Sequence, residues 1–116
     1  MIIYLVQGQA KLVSGYMHLS KRKDCDAFFL TYDEPLDGAT FFPNSTWAEG
    51  RNRLLELALE SHSDFDYIVY ADDDLEFYHG DWDTFEAGLR MFQPKVAVPV
   101  FDRTVSAVLS YPLFRV

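Results

Sequence analysis

The stretch that most limits what this chain can fold into is Asp66 to Phe77, an apolar run that ends abruptly in three carboxylates. Tyr67, Ile68, Val69, Tyr70 and Ala71 are aromatic, β-branched or small, and an unbroken run of that kind reads as a strand buried on both faces of a parallel sheet. Asp72, Asp73 and Asp74 then fall where the strand leaves the sheet. In open α/β sheets, ligands bind at that rim. Three adjacent anions repel each other by roughly several kcal/mol at modest effective dielectric, so a compensating charge is expected. A divalent cation is the simplest one. Hard carboxylate oxygens suit magnesium, manganese or calcium, and magnesium-type sites take one or two carboxylates and complete their shell with water and substrate phosphates. The other reading of an Asp triplet is an acidic loop capping the next helix. The apolar strand directly before it favours the ligand rim.

At 116 residues the chain reads as one domain spanning 1–116, large enough to bury roughly 65% of its unfolded surface. Hydrophobic residues make up 49% of it, which is ample for a core. The net charge of −8 argues against a nucleic-acid surface, where Lys and Arg must neutralise phosphates. An anionic ligand therefore needs a metal or a locally placed arginine. Cys25 is the single cysteine and has no internal disulfide partner, and no secretory signal precedes the first strand, so a reducing cytoplasm is expected. No run approaches the ~20 apolar residues of a membrane span.

Taken in order, Met1 to Val6 is a continuous apolar run and a central strand, ended by Gln7-Gly8. Between Gln9 and Ser20, Leu12, Val13, Tyr16, Met17 and Leu19 recur at the spacing of a short amphipathic helix, weakened by Gly15. Ala27 to Tyr32 is the second strand, closed by Asp33-Glu34-Pro35, which makes a βαβ unit the economical topology. That topology puts Asp33 on the same rim as the triplet. Its alternative role is a turn residue before Pro35.

Leu36 to Asn44 has no period and reads as a loop, with Phe41 and Phe42 tucked inward. Thr46 and Glu49 form a capping-box pattern that starts a helix, and Leu54, Leu55, Ala58 and Leu59 continue its apolar face to Glu60. Arg51 and Arg53 lie near its N-terminal end. At two positions apart they project about 200° from each other, so only one of them can face the rim. After the triplet, Gly80-Asp81 opens a further helix with Trp82, Phe85, Leu89 and Phe92 on one face, stopped by Pro94. Lys95 to Phe101 reads as an edge or bulged strand because of Pro99. The three histidines, His18, His62 and His79, read as surface residues, although His79 lies close enough in sequence to Asp74 to approach a metal.

With these elements placed, the run Trp47 to Ala58 followed by Tyr67 to Asp74 resembles the nucleotide-sugar half of glycosyltransferases with the A-type fold, of the family-2 kind. Those enzymes carry an Ala-Arg-Asn-like turn on a helix and then an apolar strand ending in an Asp-x-Asp signature. The resemblance covers roughly Met1 to Val100, and Gly50 stands where the family has alanine before Arg51-Asn52. It implies a Rossmann-like, three-layer α/β/α fold with a mostly parallel sheet. It also implies that Asp33 lies near the nucleobase and that Arg51 helps to hold the nucleotide. Asp72 and Asp74, with Asp73 as the alternative register, would hold manganese or magnesium bridging the diphosphate of a nucleotide-diphosphate sugar, with Asp72 touching the nucleotide as well. A bound cation stabilises the charge that builds as such a leaving group departs.

The half that binds acceptor in that family, and in inverting members supplies the catalytic base, lies after the matched region, so no catalytic residue is assigned. Two expectations follow: the donor-binding half of a metal-dependent glycosyltransferase, or a non-catalytic nucleotide-binding or interaction module that works through a partner. A phosphoacceptor receiver domain has similar length but needs paired acids after the first strand, where this chain has Gln7-Gly8. Finally, the apolar tail from Val105 to Val116 suggests a homodimer formed through that tail, since contiguous apolar patches mark interfaces.

Overall fold

The computed structural model describes residues 1–77 and 79–97. The chain divides into two compact units, Met1–Glu76 and a second that starts at Phe77.

The first unit is an α/β arrangement around a wholly parallel sheet of four strands, compatible with a Rossmann-like fold. The strands are β1 (Ile2–Gly8), β2 (Cys25–Thr31), β3 (Thr40–Phe41) and β4 (Tyr67–Asp72), in the spatial order β3-β2-β1-β4. β1 is central, as its apolar run predicts, and all seven of its residues are buried. It reaches two residues beyond Val6, so Gln7 and Gly8 belong to the strand and do not terminate it. Parallel registers set Gly8 opposite Thr31 and Gln7 opposite Asp72, which brings the carboxyl ends of three strands to one rim.

β4 departs from the expectation of a strand covered on both faces. Among the described residues it pairs only with β1, Ala71 alone is buried, and Tyr70 is 39% exposed. The doubly covered strand is β1, and the apolar character of β4 reflects partial cover. β3 was not legible as a strand, because two residues show no alternation. It is defined by its ladder to β2, and Phe42 N–H extends it by donating to Thr31 O at 2.8 Å. Of the two phenylalanines there, Phe42 packs on the core, whereas Phe41 is exposed.

Helix α2 (Trp47–Ser61) starts as its sequence predicts. Thr46 Oγ1 accepts from Glu49 N–H at 3.1 Å and Glu49 Oε1 accepts from Thr46 N–H at 2.9 Å, so two of the orphan donors of the first turn are satisfied. Leu54 and Ala58 are fully buried against Ile3, Leu5 and Leu30 of the sheet. Each such side chain is worth roughly 1.5–3 kcal/mol when taken out of water, less for alanine. Leu59 lies off that stripe and is more than half exposed. Because side chains alternate along a strand, the face of β1 that shows Ile3 and Leu5 to α2 also carries Gln7.

The helix expected over Gln9–Ser20 is two pieces: one α-helical turn, α1 (Ala10–Val13), then a 3-10 segment (Ser14–Lys21). The tighter winding still buries Val13, Tyr16 and Leu19, three residues apart, which is the period of a 3-10 helix and not of an α-helix.

In the second unit, α3 (Trp82–Phe92) is capped by Asp81, whose Oδ1 accepts from Thr84 N–H at 2.9 Å, and it stops at Gln93 in the left-handed conformation before Pro94. Phe77, Trp82 and Phe85 stack edge to face, Leu89 is buried, and Phe92 is exposed instead of joining that face. Lys95, Val96 and Ala97 are not in a strand. The rest of the strand expected there, and the tail from Val105 to Val116 with its dimer contact, lie outside the described residues. Among the described residues no helix is long and apolar enough to cross a membrane.

Candidate functional site at the carboxyl rim of the sheet

Asp72 is the last residue of β4, and Asp73 and Asp74 form the turn that follows. Their three carboxylates do not act alike. Asp73 Oδ2 accepts from Gln9 N–H at 3.0 Å, which ties the β4 turn to the start of α1. The approach is so close that a Cβ on Gly8 would sit 2.1 Å from that oxygen, so position 8 has no room for a side chain. Asp73 is therefore committed to the backbone of the neighbouring turn, while Asp72 and Asp74 are exposed.

Asp33 does the same work one residue further on, at the first residue of α1. Its Oδ1 accepts from Ala10 N–H at 2.9 Å and from Glu34 N–H at 2.8 Å, and these donors, Ala10 first, hold its carboxyl below the usual range. Both roles expected for Asp33 meet here: it stands on the rim, and it is a turn residue. Tyr16 supports the exit of the acidic turn, accepting from Leu75 N–H at 2.9 Å and donating to Leu75 O at 3.4 Å. Burial pushes the Tyr16 phenol up, and the carboxylates of Asp73, Asp74 and Asp72 add to that rise.

Arg51 faces the rim and Arg53 does not, as their angular separation requires. The Arg51 guanidinium lies 4.6 Å from the Tyr70 ring centroid and 5.6 Å from that of Trp47, and its NH2 nitrogen is 3.8 Å from Asp72 Oδ1. Arg53 instead pairs with Glu56 one turn along α2. The Arg51–Asp72 pair is solvent-exposed and contributes roughly 0–1 kcal/mol, and each aromatic contact adds roughly 0.5–1 kcal/mol. Their combined effect is to hold the cation in one place.

Gln7 is not among the site residues that the sequence suggests, yet it is one of three buried polar side chains among the described residues. Its Nε2 donates to Trp47 O at 3.1 Å, and its Oε1 is buried with no partner. An unsatisfied buried acceptor costs roughly 1–3 kcal/mol. Gly50 lies against that oxygen, and a Cβ there would come within 2.5 Å of it. Gln7 and Gly50 line a cleft of about 250 Å³, together with Leu30, Tyr32, Ser45, Thr46 and Trp47. The signal was present in two oddities, an amide closing an apolar strand and a glycine one turn into a strong helix. Only the fold shows that they face each other.

Of the histidines, His18 is exposed and bonds to Gly15 O, and His79 is an exposed loop residue of the second unit. His62 is not a free surface residue: its Nε2 is 2.6 Å from Asp26 Oδ2, and its ring meets Phe28 edge-on.

Among the described residues no three His, Cys, Asp or Glu side chains converge in a metal-holding group. Asp72 and Asp74 are exposed carboxylates, and a magnesium-type ion takes one or two such groups and fills the rest of its shell with water and phosphate. No protein-family model, curated protein sequence or solved structure matches this chain.

Proposed function

We propose that the rim binds the nucleoside diphosphate of a sugar donor, and that the chain is the donor-binding half of a metal-dependent glycosyltransferase with the three-layer A-type fold. The observation that carries this reading is the position of Arg51: a guanidinium in contact with two aromatic rings, beside an acidic turn, at the carboxyl ends of a parallel sheet. On a chain of net charge −8, a fixed arginine at the rim answers the need of an anionic ligand for local positive charge. Arg51 would exchange Asp72 for a phosphate oxygen. Asp72 and Asp74 would hold manganese or magnesium, which neutralises the diphosphate as a leaving group. Asp33 and Asp73 would act indirectly, by fixing the turn at Gln9 and Ala10 that borders the ligand.

A second reading is a binding module that needs no metal. It is favoured by the charge already matched on the rim, with Asp72 beside Arg51 and Asp73 accepting from Gln9 N–H. Calorimetry with UDP and GDP, with manganese, with magnesium and in EDTA, separates the two. The transferase reading expects binding only with metal, and expects Asp74→Asn to weaken it far more than Asp64→Asn, which lies before β4. Equal affinity in EDTA would refute the metal role and favour the second reading. No binding of either nucleotide under any condition would refute both.

A further inference from the structure

We propose that the exposed ridge from Lys11 to Lys23, along α1 and the 3-10 segment, docks the protein electrostatically on an anionic lipid surface. The ridge is separate from the carboxylates and Arg51 of the rim, so the proposal stands or falls independently of the nucleotide reading.

The starting observation is an uneven distribution of charge. Residues 1–23 hold four of the ten Lys and Arg and none of the eighteen Asp and Glu, so this stretch carries +4 in a chain of net charge −8. The fold then sorts the stretch by side. With three residues per turn, a 3-10 helix presents three faces. Tyr16 and Leu19 bury one of them, while Gly15, His18 and Lys21 form another that is exposed throughout. Lys11, Leu12 and Lys23 are exposed as well and lengthen that ridge at its two ends. A Cβ on Gly15 would meet no atom within 4 Å, so the backbone there is bare and open to an approaching surface. The acidic loop at Asp37 comes near the segment on the remaining face, where a Cβ on Gly38 would lie 2.9 Å from the Met17 methyl.

A cation in the last turn of a helix is ordinarily explained by the helix dipole. That accounts for Lys21 but not for Lys23, which lies beyond the end of the segment. Nor are the lysines matched by acids. Lys11, Lys21 and Lys23 take part in none of the ion pairs formed among the described residues, whereas Arg51, Arg53 and Arg90 each do.

The class of partner follows from the cations. The fully exposed ones are all lysines, compact point charges without a guanidinium fork, which suit many loosely placed anions better than the paired oxygens of one phosphate. A bilayer is such a surface, and it touches only what protrudes. Charges more than about 8 Å from it are screened at physiological salt, so the acidic remainder of the chain opposes docking less than the net charge suggests. Leu12, 39% exposed among the lysines, supplies an apolar side chain for the headgroup layer. Each lysine held at an anionic surface contributes roughly fivefold in affinity, and three give roughly 100-fold over a neutral surface.

Co-sedimentation of the full chain with vesicles tests this, using phosphatidylcholine alone and phosphatidylcholine with a third of it replaced by phosphatidylserine. Binding to the anionic vesicles is expected to be roughly 100-fold tighter than to the neutral ones, and to disappear at high salt. Lys21→Gln combined with Lys23→Gln should weaken it roughly 25-fold, while Arg53→Gln on α2 should change it by less than about twofold. Reductive methylation read by mass spectrometry locates the face in the wild-type protein. Anionic vesicles should protect Lys11, Lys21 and Lys23, and neutral vesicles should not. Equal binding to both kinds of vesicle, no binding to the anionic kind, or full binding by the Lys21 and Lys23 double variant would overturn the proposal. So would tighter binding to a double-stranded oligonucleotide or to polyglutamate than to anionic vesicles, which would assign the ridge to nucleic acid or to an acidic protein.

Discussion

Replacing Gly50 by alanine sets two known effects against each other. In a helix, Gly→Ala is ordinarily stabilising by roughly 0.5–1 kcal/mol, because alanine loses less backbone freedom on folding. Here the added methyl would stand 2.5 Å from Gln7 Oε1, too close for any real contact, so the amide must move. Gln7 is buried in the central strand and its Nε2 is bonded to Trp47 O, so the move sacrifices that bond, worth roughly 1 kcal/mol, and overpacks the cleft floor at roughly 1–3 kcal/mol. The loss outweighs the gain. Gly50→Ala is therefore expected to destabilise by about 1–3.5 kcal/mol, a fall in Tm of roughly 4–20 °C for a domain of this size. Urea melts followed by far-UV circular dichroism measure it. In a Gln7→Ala background the three atoms nearest the methyl are gone, and the same change should become stabilising. The coupling between the two positions is the direct readout. A wild-type background in which Gly50→Ala raises stability would refute the reasoning, since it would mean that the amide yields at no cost.

Other consequences can be checked on the same protein. Arg51→Ala should weaken UDP or GDP binding and Arg53→Ala should leave it nearly unchanged, by calorimetry; the reverse order would mean that the Trp47 and Tyr70 stack is not where the nucleotide passes. Asp33 has a folded-state pKa below its unfolded one, so the stability it contributes is present above about pH 4, the ordinary value for Asp, and is lost as pH falls through the lower folded value. Asp33→Asn should remove that part of the acid sensitivity, which urea midpoints between pH 2 and 7 would reveal. His62→Ala breaks the part-buried bond to Asp26 and the edge contact with Phe28, and should cost about 1–2 kcal/mol in thermal melts.

Much of the fold was legible because its strongest signals are local. The capping box at Thr46 and Glu49 places the start of α2 to the residue, and the run from Ile2 to Val6 identifies the central strand. Where the reading failed, the missing information is tertiary. β3 exists only through its ladder to β2, and the 3-10 winding after Val13 follows from contacts made by Tyr16 and Leu19, which an α-helical count would set differently. The site divides the same way. Charge marked the triplet, topology put Asp33 on its rim and the family resemblance singled out Arg51, but composition cannot say that Asp73 turns inward to Gln9 while Asp72 and Asp74 stay exposed. Nor could it show Gln7 meeting Gly50, because that contact joins a strand to a helix 40 residues away.

The central place of β1 also governs how the chain can come to be folded. This strand is flanked by β2 and by β4, and it pairs Ile2 with Tyr67, with Asp66 N–H closing onto Met1 O across a separation of 65 residues. Such pairing must pay for closing a long loop before any contact rewards it. While the chain is being synthesised, Ile2 to Val6 therefore waits without one of its two neighbours until Asp72 has left the ribosome. For that interval a flat apolar strand has an unpaired edge, the condition under which nascent chains are most prone to associate with one another.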